Sequence, residues 1–290
     1  MSAKFGPAGN SDAFSAVHKS SLAAPQWIAE QGLDCYEYQC GKGVHVGEDT
    51  ARRVGENARK HGISLSLHAP YFINLANPDP DSLQKAIGYI TSACLVASQM
   101  GASRVVIHSG ALMKRTRREA LDTALRSLRE VIRTCDGQGF GHIALCPETM
   151  GKINQLGDLE EVLELCTLDE RLIPCIDFGH LYARSLGADD GAEAFGRMLD
   201  RVESVLGQSR ASVFHSHFSH IQFTPGGGEK CHRTFDDDDG YGPDWAPLAR
   251  AIARRGWSPT FICESAGTQA EDARTMKEIY QAQRALYSSQ

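Results

Sequence analysis

Residues 63–68, with the sequence Ile-Ser-Leu-Ser-Leu-His, form a short apolar run that ends in a histidine. The same pattern recurs along the chain, each time with a metal-competent side chain where the apolar run stops. The side chains in this position are those of His68, His108, Glu148, Asp177, His180, His217 and Glu264. Runs of this composition are typical of parallel strands buried on both faces. Because active sites of parallel barrels lie at the carboxyl ends of their strands, the pattern predicts one metal centre built from many strand ends.

Helical patterns separate the apolar runs, so that strand and helix alternate about eight times along the chain. The predicted strands lie near residues 3–6, 34–38, 63–68, 104–108, 143–148, 173–177, 212–218 and 259–264. Eight alternations over 290 residues favour a (β/α)8 TIM barrel over an open doubly wound sheet. We therefore predict an α/β fold with one TIM barrel domain over residues 1–290. The longest irregular stretch is predicted from Thr224 to Asp244, and a loop of that length is usually functional or disordered.

Composition excludes several classes of protein. With 42% apolar residues the chain can bury a large core, and it contains no apolar segment long enough to cross a membrane, which predicts a cytoplasmic protein. Nine cysteines without a regular framework favour reduced thiols over a disulfide scaffold. A formal charge of −6 argues against indiscriminate coating of nucleic acid. The chain also lacks a Gly-x-Gly-x-x-Gly turn after its first strand, so a nucleotide cofactor is not expected.

The ligand types at the strand ends indicate a specific chemistry. Imidazoles combined with carboxylates suit zinc or manganese, and there are more of them than one tetrahedral ion can use. Two or three ions that share a bridging carboxylate would use the whole set, and the central Glu148 is the natural bridge. Such clusters activate a water molecule and hold the oxygens of a phosphate group. The sequence therefore predicts hydrolysis of a phosphodiester, with Glu148 as a catalytic residue.

Around these residues the sequence resembles the endonuclease IV family of abasic-site DNA endonucleases, within the wider xylose isomerase-like group of barrels. The resemblance extends from roughly Leu33 to Glu264. Its motifs are Leu-His-Ala-Pro-Tyr-Phe-Ile-Asn-Leu at 67–75, Ile-His-Ser-Gly at 107–110, Pro-Glu-Thr-Met-Gly at 147–151, Cys-Ile-Asp-Phe-Gly-His at 175–180 and Cys-Glu-Ser at 263–265. The motif at 67–75 and the Ile-Asp-x-x-His segment are specific in combination and weak alone.

The resemblance implies a three-zinc enzyme that cleaves the backbone of duplex DNA 5′ to an abasic site with a zinc-activated water. The implied ligands of the first ion are His68, His108 and Glu148. Those of the second are Glu148, Asp177, His217 and Glu264, and those of the third include His180 and His232. The family inserts a Tyr-Leu pair into DNA beside the abasic nucleotide, and Tyr71 and Phe72 occupy that place here. An exposed aromatic pair of this kind compensates for lost base stacking.

Two departures from the family pattern alter these expectations. Where the family has Asp-x-His on the third zinc, this chain has Lys230-Cys231-His232. Because an ammonium group cannot ligate a cation, we expect two tightly bound zinc ions and an incomplete third site, unless Glu229 turns inward. Alternatively, Lys230 binds the substrate phosphate as a fixed positive charge. The second departure is the histidine-rich seventh strand, where His215 and His217 share one face and His217 is the preferred ligand.

Two other functions use the same barrel. A sugar isomerase or epimerase of this group binds one divalent ion through four side chains, which here would be Glu148, Asp177, His217 and Glu264. Its substrate would be a small sugar, and the four outer histidines would then have no role. The other alternative is a catalytically silent metal-binding protein that recognises damaged nucleic acid. Measurable turnover on any substrate would exclude this silent alternative and leave the two enzymes.

Overall fold

The computed structural model describes residues 2–288. Ten strands lie along these residues. The strands are β1 Lys4–Pro7, β2 Cys35–Gln39, β3 Ser64–His68, β4 Arg104–Ile107, β5 Ala144–Pro147, β6 Cys175–Asp177, β7 His215–Phe218, β8 His220–Thr224, β9 Gly228–Arg233 and β10 Thr260–Cys263. Helices separate all of these strands except β7, β8 and β9, which follow one another directly. Eight of them, all except β8 and β9, pair in parallel and coincide with the eight predicted strands.

The parallel strands close into a barrel. One run of four pairs in the order β1-β10-β7-β6 and the other in the order β2-β3-β4-β5. Single parallel bridges join the two runs, between Ala8 and Glu37 on one side and between Glu148 and Cys175 on the other. The closed ring confirms the predicted (β/α)8 barrel, and it brings all eight carboxyl ends to one face.

Helices and their connecting segments surround the barrel. Their bounds are α1 Asp12–Val17, α2 Ala24–Glu30, α3 Glu48–His61, α4 Pro80–Met100, α5 Arg117–Gly137, α6 Leu159–Cys166, α7 Phe178–Arg184, α8 Gly191–Leu206, α9 Gln208–Ala211, α10 Trp245–Arg255 and α11 Gln269–Ser288, with a short 3-10 helix at Ser21–Ala23. Local sequence determines where several of them begin. At α5, for example, Thr116 and Glu119 form a capping box, in which each side chain binds the backbone N–H of the other residue.

Apolar side chains on the outer face of the barrel pack against the helices. Phe261 of β10 lies between Phe5 of β1 and Trp245 of α10, with ring centroids 5.6 and 4.8 Å away. The inner face is filled differently. Cys146 and Cys175 are fully buried there and pack with Val106.

The segment expected to be irregular from Thr224 to Asp244 is partly regular. Strands β8 and β9 form an antiparallel hairpin, which a turn over residues 224–228 closes. The expectation was wrong for this half because glycines at a hairpin turn resemble those of a loop. A second difference concerns His180, which does not end a strand. It lies in the first turn of α7, whose N-cap is Asp177.

No helix within residues 2–288 combines the length and the apolar character that crossing a membrane would require.

Candidate metal centre

The carboxyl ends of the barrel strands bring the predicted ligands together in one cleft. This cleft has a volume of about 420 Å³. Its lining consists of His68, Tyr71, His108, Glu148, Met150, Lys152, Gln155, His180, Glu229, His232 and Glu264. Asp177 and His217 lie below it and are completely buried. All eight predicted ligands therefore belong to one cluster, although they come from distant segments of the chain.

Glu148 is the central residue of the cluster. Its Oε2 atom lies 3.1 Å from Nε2 of both His68 and His108, and its Oε1 atom lies 3.0 Å from Nδ1 of His217. The other ring nitrogen of each outer histidine donates to a backbone carbonyl: His68 Nδ1 to Ala69 and His108 Nδ1 to Tyr71. These bonds direct both Nε2 atoms at Glu148, as in metal sites whose ligands are oriented by a second hydrogen bond.

A second group has the composition of a complete four-ligand site. Ligand atoms of Glu148, Asp177, His217 and Glu264 all lie within 4.8 Å of one another. The Oδ2 atom of Asp177 is buried and accepts no hydrogen bond from any residue in the described part of the chain, 2–288. A carboxylate oxygen left without a donor is costly in a protein interior, and a cation would relieve that cost. The donor set therefore fits a divalent metal ion.

A third group lies at the mouth of the cleft. Ligand atoms of His180, His232 and Glu264 lie within 4.8 Å of one another, and Glu229 Oε2 lies 3.6 Å from His180 Nε2. The close approach depends on Gly151, because a Cβ atom at that position would lie 2.7 Å from Glu229 Cβ and 2.9 Å from His180 Cδ2. The group thus contains carboxylates as well as two imidazoles.

A β-bulge explains why Glu229 rather than Lys230 faces the cleft. In the hairpin, Gln222 pairs with Cys231 and Phe223 pairs with Glu229, so Lys230 is an extra residue in β9. The extra residue shifts the alternation, which places Glu229 on the same face as His232. Lys230 is exposed and does not line the cleft, so the structure does not support its expected place beside the substrate phosphate.

The structure also separates His217 from His215. His217 directs Nδ1 at Glu148, whereas both ring nitrogens of His215 have other neighbours. Its Nε2 lies 2.8 Å from Glu37 Oε2 and its Nδ1 lies 3.5 Å from an Arg104 nitrogen. Burial lowers the pKa of His215 to about 4, which describes a neutral ring in the barrel interior. Of the two histidines, His217 is therefore the one that faces the Glu148 cluster.

Protonation of the cluster follows from its crowded charges. Burial alone would raise the pKa of Glu148, but the imidazoles of His217, His108 and His68 hold it well below its usual range. Burial alone would lower the pKa of His180, but the neighbouring carboxylates of Asp177 and Glu229 raise it to about 9. Imidazolium protons held in this way are the ones that a bound metal ion would displace.

Tyr71 and Phe72 are half exposed on the loop after β3, at 50% and 53% of their maximal surface. The Tyr71 ring lies 4.9 Å from the His68 ring, and its hydroxyl donates to Gln39. Gly41 permits this position, since a Cβ atom there would overlap the Tyr71 ring. Tyr71 also lines a second cavity of about 600 Å³, formed by residues 38–43, 45–47 and Thr50. Tyr71 therefore lines both cavities, whereas the Phe72 ring lies 4.8 Å from the Tyr89 ring of α4 and lines neither of them.

Three polar residues of the site were not expected from the sequence. Glu37 is buried beneath His217, and Lys152 and Gln155 line the cleft. Glu229, which the sequence offered as a conditional ligand, also lines the cleft. A signal existed for Glu37, because a charged residue in the middle of an apolar strand rarely lacks a partner. The positions of Lys152 and Gln155 depend on how the hairpin and the loop after β5 pack together, which no local pattern reveals.

Comparison with known proteins places the chain among related sequences. It matches the family described as the xylose isomerase-like TIM barrel over residues 25–286. An uncharacterized protein of Methanocaldococcus jannaschii is 30% identical over 250 residues, which make up 86% of this chain and 88% of that protein. A probable endonuclease 4 of Acholeplasma laidlawii is 27% identical over 165 residues. This second match covers 54% of each protein, so the chain spans about half the length of that relative.

Solved structures share the fold at lower identity. A D-tagatose 3-epimerase-like protein superposes with a TM-score of 0.71 at 17% identity, covering 98% of this chain and 99% of that one. Endonuclease IV from Thermus thermophilus superposes with a TM-score of 0.65 at 17% identity, covering 97% and 98%. At such identities the likeness concerns the fold alone.

The relatives confirm the resemblance to endonuclease IV that the strand-end motifs indicated, and the structural neighbours include epimerases of the same barrel group. The chain belongs to the xylose isomerase-like TIM barrel family.

Proposed function

We propose that the protein is a zinc-dependent phosphodiesterase that cleaves duplex DNA 5′ to abasic sites. The observation that carries the proposal is the outer set of ligands. His68 and His108 converge on one oxygen of Glu148, and His180, His232 and Glu229 form a further group beside the four-ligand site. A barrel that binds one ion needs only the four inner ligands. A multinuclear centre uses all of them, and such centres suit phosphodiester hydrolysis.

Each group would hold one ion, with Glu148 shared between the first two and Glu229 completing the third. When bound, the ions would supply an activated water and positive charge for the phosphate oxygens. The protein itself orients the ligands through the carbonyls of Ala69, Tyr71 and Thr149, which accept from Nδ1 of His68, His108 and His180. Manganese has similar ligand preferences and is the alternative metal.

The shape of the site supports a polymeric substrate. Two cavities flank the exposed Tyr71 ring, and together they are larger than a single sugar requires. Lys152 lies at the mouth of the metal cleft and Lys42 lines the second cavity, so each offers a cation to a backbone phosphate. We propose that Lys152, rather than Lys230, contacts the phosphate next to the cleaved bond.

The second candidate function is that of a single-metal sugar epimerase. It is favoured by one observation: Glu148, Asp177, His217 and Glu264 already form a complete four-ligand group. An epimerase would move a proton between a substrate carbon and a carboxylate, without cleaving a phosphodiester. It would leave the metal-facing Nε2 atoms of His68 and His108 without a function.

The decisive experiment measures metal content per chain in a native preparation, together with activity. The substrates are a duplex with one abasic site, the same duplex without the lesion, and a set of ketohexoses. We expect more than one zinc ion per chain and cleavage confined to the abasic duplex. One ion per chain with conversion of a ketohexose would establish the epimerase instead. Metal without turnover on any substrate would favour a protein that only recognises damage.

Tyr71 and Phe72 provide a test of DNA contact. Replacing both with Ala should weaken binding to abasic duplex DNA by about 1–3 kcal/mol, since stacking contributions are of that size. Because both side chains are half exposed, the melting temperature should change little. The control is Leu286→Ala, which removes an exposed apolar side chain from α11. A double variant that binds DNA normally but melts much earlier would assign the pair to the protein core.

A further inference from the structure

The carboxylate of Glu37 lies inside the barrel, directly beneath the metal centre, and is completely buried. It belongs to β2, where Cys35, Glu37 and Gln39 alternate on one face. Polar atoms of four residues surround it. Ser66 Oγ and His215 Nε2 lie 2.9 and 2.8 Å from Oε2, and His217 Nε2 and Gln39 Nε2 lie 2.9 and 3.2 Å from Oε1.

All four neighbours can donate a hydrogen, and an ionised carboxylate is the one side chain that only accepts. A glutamine at position 37 would instead direct its NH2 group, which is itself a donor, at neighbours that also donate. A buried carboxylate seldom increases stability over an apolar residue of similar size, so its presence points to a role in orientation.

The role concerns which nitrogen of His217 faces the metal centre. The ring has a carboxylate on each side. Nε2 lies 2.9 Å from Glu37 Oε1, an ion-pair contact whose angle falls outside hydrogen-bond geometry, and Nδ1 lies 3.0 Å from Glu148 and 3.6 Å from Glu264. If Glu37 retains the Nε2 proton, the Nδ1 lone pair is free for a metal ion. On the other side of Glu37, His215 is in turn held by the Arg104 guanidinium, 3.5 Å from its Nδ1.

We infer that Glu37 is a positioning residue for the metal centre, which keeps His217 in the Nε2-protonated tautomer so that Nδ1 is the metal ligand. The inference rests on the proposed metal centre and adds to it a residue that contacts a ligand rather than the metal ion. Outer carboxylates that orient a ligating histidine typically contribute roughly 10–100-fold to metal affinity or activity. Glu37 also explains why His215, on the same strand face as His217, is not available as a ligand.

The test compares Glu37→Gln with Ser66→Ala, which removes one neighbour of the carboxylate but leaves the contact to His217. Zinc affinity is measured by competition with a chromophoric chelator, and the absorption spectrum of the Co²⁺-loaded protein reports the ligand geometry. We expect Glu37→Gln to weaken zinc binding by about 10–100-fold and to alter the Co²⁺ spectrum. The zinc affinity of Ser66→Ala should stay within about threefold of that of the unsubstituted protein, because this variant loses only the hydrogen bond from Ser66 to Glu37 and keeps the contact between Glu37 and His217.

If Glu37→Gln folds and its zinc affinity equals that of the unsubstituted protein, the inference about Glu37 is refuted. If the unsubstituted protein itself binds no zinc, the proposed metal centre is refuted. If Glu37→Gln does not fold, a measurement on the unsubstituted protein still tests the role of Glu37. Nitrogen chemical shifts of ¹⁵N-histidine-labelled, zinc-loaded protein show which ring nitrogen binds the ion. Nδ1 ligation with a protonated Nε2 supports the role of Glu37, and ligation of His217 through Nε2 overturns it.

Discussion

Replacing Glu148 with Gln is expected to lower turnover on an abasic duplex by roughly 1000-fold or more, in line with losses seen when a central catalytic group is removed. The reason is that each carboxylate oxygen faces a different set of ligands. Oε2 is shared by His68 and His108, and Oε1 faces His217. A Gln side chain can present only one oxygen, so its NH2 group must replace a metal-binding oxygen on one side.

Metal content should fall together with activity in the Glu148→Gln protein, because the bridge between two groups is lost. The fold should persist, since the barrel core is built from apolar side chains elsewhere. Glu164→Gln is the matched control: it removes a partly exposed glutamate that pairs with Arg118 on the surface. Zinc content, rate and circular dichroism are measured for both. Near wild-type rates in Glu148→Gln would show that the centre does not depend on this residue.

The barrel could be predicted from the sequence because its signals are local. Each strand is a short run of buried, β-prone residues, and each is followed by a helical pattern, so eight units are visible without any knowledge of contacts. The inner ligands follow from the same pattern. His68, Glu148 and Asp177 end or directly follow strands, and parallel strands of a closed barrel bring their carboxyl ends together.

The remaining parts of the site depend on packing between distant segments. Glu37 lies in the middle of β2, and its partners His215 and His217 are about 180 residues away along the chain. Lys152 reaches the cleft because the loop after β5 pairs with the hairpin, through a bridge between Lys152 and Gly228. Neither contact leaves a periodic signal in the sequence. Long-range pairing of this kind is set by the completed fold rather than by local propensity.

The hairpin shows how one residue can mislead an interpretation based on spacing. Lys230 and His232 are two apart, and on a regular strand they would share a face. The bulge at Lys230 breaks this alternation, so that Glu229, three residues before His232, faces the cleft. The sequence departure from Asp-x-His therefore need not remove a carboxylate from the third group.

This geometry leads to opposite expectations for two adjacent residues. Glu229→Ala should remove one zinc ion per chain and lower turnover on the order of 100-fold, because the third group would lose the carboxylate that lies 3.6 Å from His180 Nε2. Lys230→Ala should leave zinc content and rate within about twofold, since surface substitutions outside the cleft have small effects. Metal analysis and steady-state kinetics on the same preparations measure both. If Lys230→Ala impairs catalysis while Glu229→Ala does not, the lysine acts on the phosphate despite its exposed position, and the third group binds no ion that catalysis requires.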